Sequence, residues 1–127
     1  MRKETKKICQ AFIDGREAHA ARTKTNGTML FLHDHPIAVW DVEERAKGKR
    51  ILHLCCCGYP TPTTKDRLNG LLTLLGFGAC GYFTSKHQLY FGSKLRPVDD
   101  YETITIDVDL MLEVMNDNTI TPKQIAA

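Results

Sequence analysis

Four leucines constrain this chain more than any other feature. Leu68, Leu71, Leu72 and Leu75 recur at i, i+3, i+4 and i+7, the spacing of one face of an α-helix. Thr63 precedes them as an N-cap, and Asp66 follows three residues later as the acidic member of a capping box. Gly76 and Gly78 stop the helix. Lys65, Gly70, Thr73 and either Arg67 or Asn69 then point outward. A helix with one leucine face needs an apolar surface beneath it, and the segments on either side read as strands.

Upstream, residues 3–14 read as a first helix carrying Ile8, Cys9 and Phe12 on its apolar stripe and ending at Gly15, with Arg2, Lys3, Lys6 and Lys7 solvated. Residues 16–25 are small and polar and carry no periodicity. Asn26-Gly27 signals a turn. Residues 28–33 and 37–41 form a hairpin about His33-Asp34-His35-Pro36, and 43–50 make a charged turn. Residues 51–57 are nearly all apolar, which predicts a strand buried on both faces. Downstream, 79–84 and 88–91 form a second hairpin. Tyr82, Phe83, Tyr90 and Phe91 pair across it, half of them facing the core. Residues 92–100 read as a linker. Ile104, Ile106, Val108 and Leu110 alternate with Thr and Asp as a strand, 111–115 continue as helix or strand, and 116–127 read as frayed.

The expected fold is α+β, in the order α-β-β-β-α-β-β, with one antiparallel sheet and the helices on one of its faces. Residues 1–96 form a single domain, and 97–127 an acidic extension, partly strand, packed on it. At 127 residues such a chain buries roughly two thirds of its unfolded surface, enough for a core without disulfides or metal. Its apolar runs stop at four or five residues, as at 37–40, too short to cross a membrane. Five cysteines, three of them consecutive, make no disulfide framework and fit a reducing cytoplasm.

The net charge of +2 conceals an asymmetry. Residues 1–25 hold seven basic and three acidic residues, 61–96 five and one, and 97–127 one and seven. A basic body with an acidic end suits a protein that meets an anion such as nucleic acid.

The segment Leu32-His33-x-x-Pro36-Ile37-Ala38 and the segment Thr61-x-Thr63-Thr64-x-x-Arg67-Leu68-Asn69-Gly70-Leu71-Leu72 resemble a set of small tailed-bacteriophage proteins of unknown function. Ala11-Phe12-x-x-Gly15 and Thr25-x-Gly27-Thr28 are also similar to that set. The resemblance spans about residues 11–91 and leaves the final 36 outside. The chain departs from the set at Asp34, where Gly is usual. It departs again at Cys55-Cys56-Cys57-Gly58-Tyr59, where an apolar strand ending in Gly-Trp is usual. The resemblance implies the cytoplasm of an infected bacterial host and no particular reaction.

Among candidate sites, the start of the leucine helix ranks first. Its free N–H groups and dipole, the hydroxyls of Thr61, Thr63 and Thr64, and the charges of Lys65 and Arg67 suit a phosphate. The aromatic hairpin is a further candidate, since Tyr82, Phe83, Tyr90 and Phe91 beside Lys86 and Lys94 offer rings on which bases stack, with at most two of the rings expected to be exposed. The α-β-β-β-α order parallels the double-stranded-RNA-binding fold, whose second helix offers its basic start to phosphates. Capping and an ion pair to the body of the protein account for the same residues without a ligand. His33, His35, His53, Cys55 and Cys57 lack the spacing of a zinc site, and Asp99-Asp100 and Asp107-x-Asp109 read as a solvated acidic edge. With no glycine-rich phosphate loop or nucleophile motif, neither a catalytic residue, a metal nor a cofactor is expected. The leading expectation is a phage accessory protein that binds nucleic-acid backbone. The alternative is a protein-interaction module that docks on a host or phage protein.

Overall fold

The computed structural model describes residues 1–116. It is an α+β fold in which six antiparallel strands carry two long helices on one face. Helix α1 (Lys3–Ile13) buries Ile8, Cys9 and Phe12 and ends at Asp14, followed by Gly15 with φ +72°. Residues 16–25, silent in the sequence, form a hairpin of β1 (Glu17–Ala20) and β2 (Thr23–Asn26). Its inward residues on β2 are Thr23 and Thr25, so no apolar alternation marks it. The Asn26 side chain accepts from the N–H groups of Thr28 and Met29. A Cβ on Gly27 would lie 2.5 Å from the Gly15 carbonyl oxygen, which only glycine avoids.

Strands β3 (Met29–Leu32) and β4 (His35–Trp40) turn through His33 and Asp34, both at positive φ, as a two-residue type I′ turn requires. The first part of the expected charged turn, residues 43–46, coils together with Val42 into a short helix, α2 (Val42–Ala46), because the Asp41 carboxylate caps it by accepting from Glu44 N–H. Strand β5 (Ile51–Leu54) buries Leu52 and Leu54 only, and Ile51 and His53 remain half-exposed. The expectation of burial on both faces is therefore corrected: helices cover one side of this sheet. Strand β9 (Ile104–Asp107) returns to pair with β5, giving the order β1-β2-β3-β4-β5-β9.

Helix α3 (Pro62–Leu75) buries Leu68, Leu71, Leu72 and Leu75 together, as their spacing requires. Its cap, however, is Thr61, whose hydroxyl accepts from Thr64 N–H at 3.2 Å. Pro62 fixes the first helical φ, and this moves the helix start two residues ahead of the expected Thr63. Asp66 then falls beyond the capping position and accepts from Thr5 and Arg67 instead. Trp40 stacks on Phe12 at 5.3 Å and donates its indole N–H to the Phe12 carbonyl, joining α1 to the sheet.

One sheet was expected, and there are two. After a 3₁₀ turn at Gly78–Cys80, strands β6 (Tyr82–Ser85), β7 (Gln88–Phe91) and β8 (Ser93–Pro97) form a separate three-stranded sheet. The supposed linker supplies β8, a strand with no buried residue and hence no apolar alternation. Tyr82 and Phe91 are buried, while Phe83 and Tyr90 stack together on the half-exposed side. Asn69 of α3 clamps this sheet, donating to the Tyr82 carbonyl at 2.9 Å and accepting from Tyr82 N–H at 2.7 Å. The alternation to Leu110 also misleads. The Asp107 carboxylate accepts from Leu110 N–H and starts α4 (Val108–Met115), leaving Leu110 55% exposed. The expected frayed end lies, beyond residue 116, outside the described residues.

Candidate nucleic-acid interface

The start of α3 is far less open to an anion than its sequence promises. Pro62 has no N–H. Thr64 N–H is taken by the Thr61 hydroxyl, and Lys65 N–H by the Thr61 carbonyl. Among the described residues this leaves Thr63 N–H as the uncommitted donor of the first turn. The Thr61 and Thr64 hydroxyls lie 3.0 Å apart and bond to each other, and Thr64 is buried.

Arg67 was a leading candidate for a phosphate, and the structure turns it inward. It is 4% exposed, and Nε donates to Thr23 Oγ1 at 3.0 Å. Nη1 donates to Asp66 Oδ2 at 2.7 Å and also to Thr5 Oγ1. Its charge is matched and desolvated among α1, β2 and α3, so it braces the fold. Lys65 reaches the other way, its ammonium donating to Thr84 Oγ1 on β6 at 2.8 Å. Lys86 sits exposed at the tip of the same β6–β7 hairpin with φ +50°. The structure thus joins Lys65 to the hairpin that carries Lys86 and separates Arg67 from both. The double-stranded-RNA-binding parallel also lapses, because β1 and β2 stand between α1 and the three strands that were counted.

The two sequence segments that carry the phage resemblance meet in space. His33 and His35, from the β3–β4 turn, face Tyr59, Thr61 and Thr63 across a cleft of about 370 Å³ floored by Leu32, Ile37 and Cys56. The His35 and Tyr59 rings are 5.2 Å apart. His53 lies elsewhere, between Asp41 and Thr105. Of the acidic pairs, Asp107 caps α4, Asp109 binds Arg50 and Asp99 accepts from Tyr101 N–H. Among the described residues no group of three or more His, Cys, Asp or Glu is arranged to hold a metal ion.

A basic surface also lies on α1, where the sequence showed only solvated lysines. Lys3, Lys6 and Lys7 share the helix face opposite Ile8, Cys9 and Phe12. With Gln10 and Arg16 they line a shallow cleft of about 410 Å³ that reaches Ala18 of β1. Arg16 is paired with Asp14 at 3.0 Å. Among the described residues, none of the three lysines has an ion-pair partner. The signal was present as lysine recurrence in phase with the helix, on the side away from its apolar stripe.

No curated protein and no solved structure matches the chain. No described helix is long and apolar enough to cross a membrane. A model of the Kyanoviridae Gp96 protein family matches residues 1–110, and on that extent the chain belongs to this family of phage-encoded proteins.

Proposed function

We propose that this phage protein acts in the cytoplasm of the infected host as an accessory protein that binds the sugar-phosphate backbone of nucleic acid. The observation that carries the reading is the stripe Lys3, Lys6 and Lys7, with Arg16 beside it, exposed along one face of α1. Three ammonium groups without carboxylate partners form a local positive field that attracts a polyanion. Lys65 and Lys86 add a second basic patch at the second sheet. Backbone contacts set register and carry no sequence information, so binding is weak and indifferent to sequence.

The test is a salt titration of fluorescent duplex and single-stranded oligonucleotides. Binding falls with salt, with a log–log slope of about −0.9 per phosphate neutralised on duplex DNA. Replacing Lys3, Lys6 and Lys7 with Gln flattens that slope by up to about three units if each neutralises one phosphate. Arg67→Ala leaves the slope unchanged once wild type and variant are compared below their melting temperatures. Absence of binding at low salt, or equal binding by the folded triple variant, rejects the proposal. The competing reading, docking on a host or phage protein, then gains weight. Its support is the half-exposed Leu110 beside an apolar groove lined by Phe91, Ile106 and Met111.

A further inference from the structure

Strand β5 runs out into Cys55, Cys56 and Cys57, thiols that nucleic-acid binding leaves unused. They are not equivalent. Cys56 points into the core, 2% exposed, and burial pushes its thiol up to about 12. Cys55 and Cys57 are both half-exposed. The backbone turns sharply there, with Cys57 at φ +53° and Gly58 at +83°. This fold-back aims the Cys57 N–H at the Cys55 sulfur, 3.2 Å away. The thiols also tie β5 to its surroundings. Cys57 donates to the Pro36 carbonyl at 3.1 Å, and Cys55 to the Tyr101 carbonyl at 3.4 Å.

We propose that Cys55 and Cys57 form a redox-active dithiol that closes to an intramolecular disulfide by exchange with a small disulfide of the glutathione class. Cys55 attacks first: its proton, bonded to the Tyr101 carbonyl in the reduced protein, passes to solvent, and the Cys57 N–H, 3.2 Å from its sulfur, hydrogen-bonds the thiolate so formed. Cys55 bonds to one sulfur of the small disulfide and expels the other as a thiolate. Cys57 then gives its proton to solvent and attacks the Cys55 sulfur, expelling the second small thiol. Two protein thiols are oxidised and one disulfide is reduced to two thiols. Burial and the neighbouring Cys55 push the Cys57 thiol up to about 11, so closure accelerates as pH rises. A ring closed over one intervening residue is strained, and strained disulfides are readily reduced, so the pair reopens when the thiol pool is restored. Closure removes the thiol protons bonded to Pro36 and Tyr101, leaving the end of β5 held by its backbone bonds alone, Cys55 N–H to the Ile37 carbonyl and Gly58 N–H to the Asp100 carbonyl.

The experiment equilibrates the full chain with graded ratios of reduced to oxidised glutathione. Acid quench is followed by N-ethylmaleimide in denaturant, reduction and a second alkylating label. Mass spectrometry then shows two thiols lost together, the second label on Cys55 and Cys57, and maleimide on Cys56. Cys57→Ser arrests at a glutathione adduct on Cys55, and Cys56→Ser still closes. Melting curves verify the fold of each variant, and the wild-type labelling pattern decides the matter should a variant unfold. Stable glutathione adducts on the wild type without closure, a bond that includes Cys56, or no thiol loss at any ratio overturns the proposal.

Discussion

Removing the Arg67 side chain tests the internal role that replaces its expected contact with phosphate. The guanidinium makes three hydrogen bonds, to Thr5, Thr23 and Asp66. Hydrogen bonds to charged groups net about 1.5–3 kcal/mol each. The low end applies, because the Asp66 side chain is 29% exposed and recovers water when its partner leaves. Thr5 and Thr23 are buried and recover none. Arg67→Ala is therefore expected to cost about 4 kcal/mol, in line with removing one member of a buried ion pair. For a domain of this size the melting temperature should fall by roughly 10–15 °C. Urea unfolding followed by circular dichroism measures the loss directly, with Thr23→Val as a partial version worth about 1 kcal/mol. A loss below about 1 kcal/mol for Arg67→Ala would show that the guanidinium is not held as described, and would return it to the list of groups free to meet a ligand.

Thr61→Ala should cost about 1 kcal/mol as the true cap of α3, while Thr63→Ala costs a few tenths; the reverse order in chemical denaturation would restore the cap read from sequence. Gly70→Ala places a Cβ 2.3 Å from Thr5 Cγ2, so despite the better helix propensity of alanine it should destabilise by about 1–2 kcal/mol, and a more stable variant would mean the α1–α3 contact is looser than described. Acid should weaken the fold through Asp41 and Asp109. The Glu44 N–H and then His53 hold Asp41 below its ordinary 3.8, and Arg50 does so for Asp109. Their contribution is complete above that ordinary value and is lost as pH falls through the depressed one. Melting temperature should hold from neutral pH to about 5 and drop below about 4, less steeply in Asp41→Asn, and parallel curves for variant and wild type would refute the assignment.

The parts of this fold that the sequence announces are those whose burial is periodic. Leu68 to Leu75 reveal a helix because every inward residue is apolar, and Tyr82 with Phe91 reveal a hairpin on the same ground. The β1–β2 hairpin is silent because threonines stand at the inward positions of β2, satisfied by Arg67 and by the Met29 carbonyl. Those partners lie 44 and four residues away, and the longer reach is invisible to local pattern. Arg67 misled for the same reason. A charged residue one position before Leu68 reads as solvent-facing until Thr5 and Asp66 surround it. The candidate interface was legible only as charge. Lys3, Lys6 and Lys7 share a face by spacing alone, but that no carboxylate approaches them depends on how β1 and Asp14 pack beside the helix. Strand β8 shows the opposite limit, since an element that buries nothing leaves no hydrophobic trace.

Asn69 does for β6 what a neighbouring strand would do. Its amide offers one donor and one acceptor to the outward N–H and C=O of Tyr82, and Gly81 leaves room for it, since a Cβ there would lie 2.6 Å from the amide oxygen. Glutamine is a methylene too long for this fit, and aspartate lacks the donor. Because Leu68 and Leu71 on either side of Asn69 are rooted in the main core, the clamp anchors the small sheet to α3. Tyr82, Leu89 and Phe91 pack into that same core. The Tyr82 amide proton, near one end of a short strand where fraying would ordinarily release it in fast local openings, is therefore expected to exchange with solvent more slowly in the wild type than in Asn69→Ala.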